Sequence, residues 1–162
     1  AIEIGMILAA FLFMRKIMLS SSVQQTGFSN DENTEDRLMP DSLPDQVDVF
    51  EINGPLFFGA AYKFRDTMRL IENPARILII RMDKVPVIDA TGIRVLQDVH
   101  EEFNKKGSKL ILSEVNCAQV MDELQKSRLL FRIGKGNVTA TFENAVKRAQ
   151  DILGNNSPSV HY

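Results

Sequence analysis

The 162-residue chain is 44% hydrophobic with a formal net charge of −2, which is enough apolar content for a core and no basic excess to meet nucleic-acid phosphates. Its single cysteine, Cys117, excludes an internal disulfide and fits a reducing compartment. Charge is spread unevenly: residues 20–45 set six carboxylates against Arg37 alone, while residues 46–162 hold 16 basic against 14 acidic side chains.

From the N-terminus, Ile4–Met14 runs without a charge, and Arg15-Lys16 follow at once. The run is shorter than the roughly 20 residues a helix needs to cross a bilayer. A signal peptide carries its basic residues before the apolar run, not after it. An amphipathic helix has a polar face, and this run has none. Residues 1–19 therefore read as the end of a transmembrane helix whose beginning was cut off, as a start at Ala1 rather than Met suggests. Basic residues just past the run place the rest of the chain in the cytoplasm. Residues 20–45, with Ser20-Ser21-Ser22, Gln24-Gln25 and the acidic cluster, read as a flexible linker whose charge holds the next domain off anionic lipid.

From residue 46 the pattern becomes that of a folded domain. Val47, Val49 and Ile52 against Asp48, Glu51 and Asn53 predict a strand that ends at the turn Asn53-Gly54-Pro55. Leu56-Phe57-Phe58 is a candidate second strand. Ala61, Phe64, Met68 and Ile71 share one face of a helix that Asn73-Pro74 should stop. Ile77–Met82 is a buried strand. Ile93, Leu96, Val99 and Phe103 line a second helix, capped at its C-terminus by Gly107. Leu110-Ile111-Leu112 is the next strand. Asn116 is a candidate cap for a helix with Cys117, Val120, Met121 and Leu124 on one face. Leu129-Leu130-Phe131 and Val138 are weaker apolar patches. Thr141 can cap a last helix carrying Phe142, Ala145, Ala149 and Ile152, which Gly154 ends. Residues 154–162 read as a disordered tail that includes His161. Strand–helix alternation predicts an α/β domain over residues 46–153, with a mainly parallel sheet of four to five strands.

The most informative stretch is Val87-Ile88-Asp89-Ala90-Thr91-Gly92. It hands a buried strand over to a helix, where free N–H groups and the positive end of the helix dipole can meet an anion, a phosphorylated hydroxyl or a partner. No His, Cys or Lys stands beside it to supply chemistry, and the chain offers no nucleophile–base pair or metal-ligand cluster, so no enzyme is expected. The plainer role of Asp89 or Thr91 is an N-cap, and that of Gly92 is close helix–strand packing. Gly134-Lys135-Gly136 lacks Walker spacing and reads as a solvated turn. Cys117 lies on an apolar face without an activating base and reads as core, and His100 as a rim residue. Of Phe57 and Phe58, one is expected in the core and the other exposed towards a partner.

Asp89-Ala90-Thr91-Gly92 after a buried strand, in this strand–helix order, resembles the STAS domain shared by bacterial anti-sigma factor antagonists and the cytoplasmic end of SulP anion transporters. Gly54–Ala61, Arg81-Met82 and Val85–Gly92 resemble the transporter branch, and Glu3–Phe13 with Arg15-Lys16 looks like the close of its last transmembrane helix. The resemblance covers residues 1–153. The short connection Glu72–Ala75 is similar to bacterial members, since animal members carry a long insertion there. The resemblance implies a non-enzymatic regulatory module on the cytoplasmic side of a membrane anion transporter, sulfate being the default substrate. It acts in assembly, trafficking or transport control through its own membrane domain, a second copy, or a cytosolic protein such as an acyl carrier protein. No cofactor is implied, though the family leaves room for weak nucleotide binding. Asp89, Thr91 and Gly92 would be the phosphorylation, anion or partner site, with Phe57, Phe58 and Arg94 as partner contacts; Thr91 aligns with the residue phosphorylated in the antagonists. The alternative is a phosphorylation-controlled partner switch of the antagonist type.

Overall fold

Parallel strands buried on both faces need helices on both sides, and the chain supplies them in alternation. The computed structural model describes residues 22–25 and 43–154. The elements run β1 (Ser22–Gln25), β2 (Val47–Asn53), α1 (Phe58–Arg69), β3 (Ile77–Arg81), α2 (Ala90–Lys105), β4 (Lys109–Ser113), α3 (Ala118–Lys126), α4 (Leu129–Ile133), β5 (Val138–Thr139) and α5 (Phe142–Gly154). The expected membrane stub, most of the linker and the tail lie outside the described residues.

Among the described residues the sheet has five strands in the order β1-β2-β3-β4-β5. β2 to β5 are parallel, and β1 pairs antiparallel with β2, a pairing that apolar alternation does not announce. Register sets rows across the sheet. Val49, Ile79 and Ile111 align, as do Phe50, Ile80 and Leu112. The first row packs with Phe142, Ala145, Val146 and Ala149 of α5. The second packs with Phe64, Leu96, Phe103 and Leu124 from the helices on the other face. Ile52 belongs with Phe50, not with Val49 as its sequence pattern suggests, because strand side chains alternate with a period of two.

Three other local expectations change. Leu56 makes a single parallel bridge to Ile88, and α1 begins at Phe58, so Leu56–Phe58 is no strand. Helix α1 ends at Arg69, before Asn73-Pro74. The connection is held by Lys106 Nζ on the Ile71 carbonyl, Ser108 Oγ on the Ala75 carbonyl, and the Ala75 N–H on Asp48. Asn116 does not cap α3; its amide donates to Asp83 at 3.0 Å, and the cap position falls to Cys117, whose half-buried thiol faces the Pro86 carbonyl. Thr141 does cap α5, accepting from the Asn144 N–H. Gly107, at φ +83°, closes the turn after α2.

At the carboxyl ends of the strands the α5 face turns polar. Glu51, Arg81, Ser113 and Thr139 align across β2 to β5. The Arg81 guanidinium donates to both oxygens of Glu114, at 2.6 and 3.0 Å, and lies 4.6 Å over the Phe142 ring. Its bond to Glu114 holds the guanidinium above its ordinary value, against the opposing pull of burial.

On the other face, His100 of α2 is half-buried under Arg132 of α4. Burial first, then the Arg132 charge, lowers its pKa from 6.5, while Glu101 and the Arg132 backbone act the other way. A folded-state pKa below the unfolded one means that the unfolded chain binds more protons in the window beneath 6.5, so stability falls as pH drops through it. His100→Gln should therefore narrow the difference in Tm between pH 7 and pH 5, about two units spanning that window, as differential scanning fluorimetry would show. An unchanged difference would remove His100 as the source.

Candidate functional site

The α2 entrance is built by backbone pairing beyond β2 and β3. The Gly54 N–H donates to the Lys84 carbonyl and the Leu56 N–H to the Val87 carbonyl, each at 3.0 Å. The Gln119 side chain of α3 closes the other side: its Nε2 donates to the Ile88 carbonyl at 2.8 Å and its Oε1 accepts from the Ile88 N–H at 3.0 Å. Ile88 is thus held as though a strand lay on each flank.

Asp89, in extended backbone, takes the cap position, and its Oδ1 accepts from the Gly92 N–H at 2.8 Å. Gly92 is buried, and a Cβ there would overlap the Leu56 carbonyl oxygen and lie 2.6 Å from Ile88 Cγ1. Only glycine lets α2 pack this closely on the Leu56 backbone. Capping by Asp89 leaves the Thr91 hydroxyl without a hydrogen bond to a described residue.

Thr91 opens into a groove of about 340 Å³ between α1 and α2, lined by Tyr62, Arg65, Arg94, Val95 and Asp98 among others. Arg65 lies 4.9 Å over the Tyr62 ring, and Arg94 pairs with Asp98 at 3.3 Å, one helical turn on. Phe58, a turn before Tyr62, is 60% exposed and Tyr62 is 48% exposed. Phe58 sits at φ +44°, a left-handed conformation that costs a non-glycine residue energy. Its ring meets Phe57 edge-on at 5.5 Å, and Phe57 is half-buried rather than in the core.

The fold thus gathers Asp89, Thr91, Gly92 and Arg94 at one helix start and presents Phe58 from the adjoining helix. Sequence reasoning did not select Tyr62, Arg65 or Gln119. Tyr62 and Arg65 follow Phe58 at helical spacing, so the stripe could have been found once α1 was started at Phe58. Gln119 carries no local signal. Among the described residues, no three His, Cys, Asp or Glu side chains form a metal set, and none of their helices is long and apolar enough to cross a membrane. Of the Gly134-Lys135-Gly136 stretch, Gly134 precedes a short 3-10 turn, Lys135–Asn137, to which the other two belong.

Residues 43–149 match the family model of the STAS domain. The fold is similar to the STAS domain of a SulP transporter from Vibrio cholerae, with a TM-score of 0.62 and 34% identity, over 71% of this chain and 89% of that one. It is similar to a sulfate transporter family protein from Wolinella succinogenes, with a TM-score of 0.67 and 31% identity, over 75% of this chain and 99% of that one. Sulfate transporter 3.2 of Arabidopsis thaliana is 25% identical over 97% of this chain and 27% of its own length. The chain spans about a quarter of the length of the curated relatives it matches.

Proposed function

The chain belongs to the STAS domain family and is related to the STAS domains of SulP sulfate transporters, and on that premise we propose that it is the cytoplasmic control module of a SulP-type anion transporter, sulfate being its cargo. The module does no chemistry of its own. It governs assembly or transport rate by docking the α1–α2 groove on the transporter's membrane domain. The observation that carries this reading is Phe58: an aromatic side chain held in solvent by a costly backbone, beside the exposed Tyr62. Strain of this kind persists where the surroundings enforce it and clusters at binding sites. Thr91, its hydroxyl uncommitted in a groove that Arg65 and Arg94 also line, supports phosphorylation as the control on that contact.

The test is sulfate uptake by the intact parent transporter. Deleting residues 46–154 should abolish uptake or lower the transporter's abundance. The double substitution Phe58→Ser, Tyr62→Ser should leave the domain's Tm within a few degrees of wild type, since both rings are exposed, yet weaken domain–membrane-domain association about tenfold, as loss of an aromatic anchor does. Uptake and abundance unchanged by the deletion would overturn the reading.

A further inference from the structure

A second surface lies away from the α1–α2 groove, on the edge of the sheet that ends in β5. Residues 126–148 hold six basic side chains against Glu143 alone, whereas the acidic run of residues 31–45 precedes β2 in the chain. At the centre of the basic stretch stands Phe131 of α4, 82% exposed, more than any other large hydrophobic side chain among the described residues. Its neighbours in α4, Leu129 and Ile133, are buried, so the short helix is anchored by two side chains and holds Phe131 outward. Arg128 starts this helix in the left-handed conformation, and Arg132 follows Phe131.

Part of this charge is already matched. Lys126 bonds Asp122 and Glu123, and Arg132 pairs with Glu101. Arg128, Lys135 and Lys147 make no ion pair with a described residue. Arg148 lies over the turn at Gly136 and donates to Asn137, which ties the middle of α5 to that turn. The outcome is an edge with one projecting aromatic ring, flanked in the chain by Arg128 and Lys135, neither of them ion-paired with a described residue. A ring this exposed gains by leaving water, and cations beside it favour a surface dense in negative charge.

We propose that this edge rests on the anionic cytoplasmic leaflet, with Phe131 inserted at the headgroup–acyl boundary and Arg128 and Lys135 on lipid phosphates. The assignment rests on the proposed tethering of the domain beneath a membrane. The tether matters energetically: it holds the edge at high effective concentration near lipid, so a weak contact is populated. The acidic linker on its own would hold the domain off anionic lipid, and the basic edge opposes it at contact, where its cations meet the phosphates directly.

The chain has no tryptophan, so Phe131→Trp installs a single fluorescent probe at the site, where exposure tolerates the exchange. The full chain carrying this substitution is mixed with phosphatidylserine–phosphatidylcholine vesicles and, separately, with pure phosphatidylcholine vesicles. The expected result is a blue-shifted emission, quenched by brominated acyl chains, with the anionic vesicles only and reversed by high salt. Adding Arg128→Glu and Lys135→Glu should weaken this partitioning at least about tenfold, since each basic residue near an anionic surface contributes about fivefold. The readout is local, so vesicle binding through residues 4–14 does not mimic it. No shift with anionic vesicles overturns the proposal, as does a shift produced instead by an acidic protein. If uptake still depends on residues 46–154, the control reading survives that failure. If the shift occurs but deletion leaves uptake intact, only the control reading falls.

Discussion

Replacing Gly92 with alanine is expected to destabilise the domain by about 3 kcal/mol, at the upper end for adding a single methyl to a packed site. The new Cβ would overlap the Leu56 carbonyl oxygen and crowd Ile88 Cγ1. Neither neighbour can yield cheaply. The Leu56 N–H is bonded to the Val87 carbonyl, and the Ile88 backbone is clasped by Gln119 on both its N–H and its carbonyl. Helix α2 would have to lift away from the sheet, which separates Leu96, Val99 and Phe103 from their core contacts. At about 4 °C per kcal/mol for a domain of this size, Tm should fall by about 12 °C. Asp89→Ala in the same experiment loses only the cap bond to the Gly92 N–H and should cost about 1 kcal/mol. A Gly92→Ala protein that melted no lower than Asp89→Ala would show that the close approach is not what demands glycine there.

The cap at Asp89 is a local pattern, whereas the clash at Gly92 depends on residues far along the chain, and legibility in the sequence divides the same way. The fold class is legible because it rests on period and order: Ile77–Met82 is apolar apart from Arg81, Phe64 and Met68 recur one turn apart, and strands alternate with helices. The helix entrance is legible for the same reason, since an acidic residue three positions before a glycine, after a buried strand, can be seen in one short window. Phe58 is harder. Leu56-Phe57-Phe58 reads as a strand by composition, and only the bridge of Leu56 to Ile88, 32 residues on, shows that one residue pairs while the next but one opens a helix. Gln119 and Arg65 reach the site from other elements, so no window along the chain contains their role. Asn116 satisfies the capping rule, yet its amide finds Asp83 across the loop, a tertiary contact that outweighs a local preference.

The second large effect is expected on the opposite face, at Arg81. Arg81→Met should cost about 3 kcal/mol at neutral pH, because it removes the cation and leaves the anions in place. The Arg81 and Glu114 side chains are only 17% and 15% exposed, and their two parallel bonds satisfy a carboxylate that water does not reach freely. Glu51 stands one strand away in register with Arg81 and is otherwise held by Lys84 at 3.1 Å, so removal of the guanidinium sets two carboxylates near each other. The consequence is a definite order among variants. Glu114→Gln alone keeps a donor or acceptor at the site and leaves Arg81 to Glu51 and Asp83, so it should cost less, about 1–2 kcal/mol. The double variant Arg81→Met, Glu114→Gln should be more stable than Arg81→Met alone, because it removes the stranded charge, with a coupling of about 1–2 kcal/mol in urea unfolding. Arg81 also covers the Phe142 ring at the first residue of α5, a contact that any loss of the cation removes whether or not Glu114 is present. If that ring contact were the dominant stabilisation, the two substitutions would add without coupling. A coupling near zero would therefore transfer the role of Arg81 from its carboxylate to the start of α5.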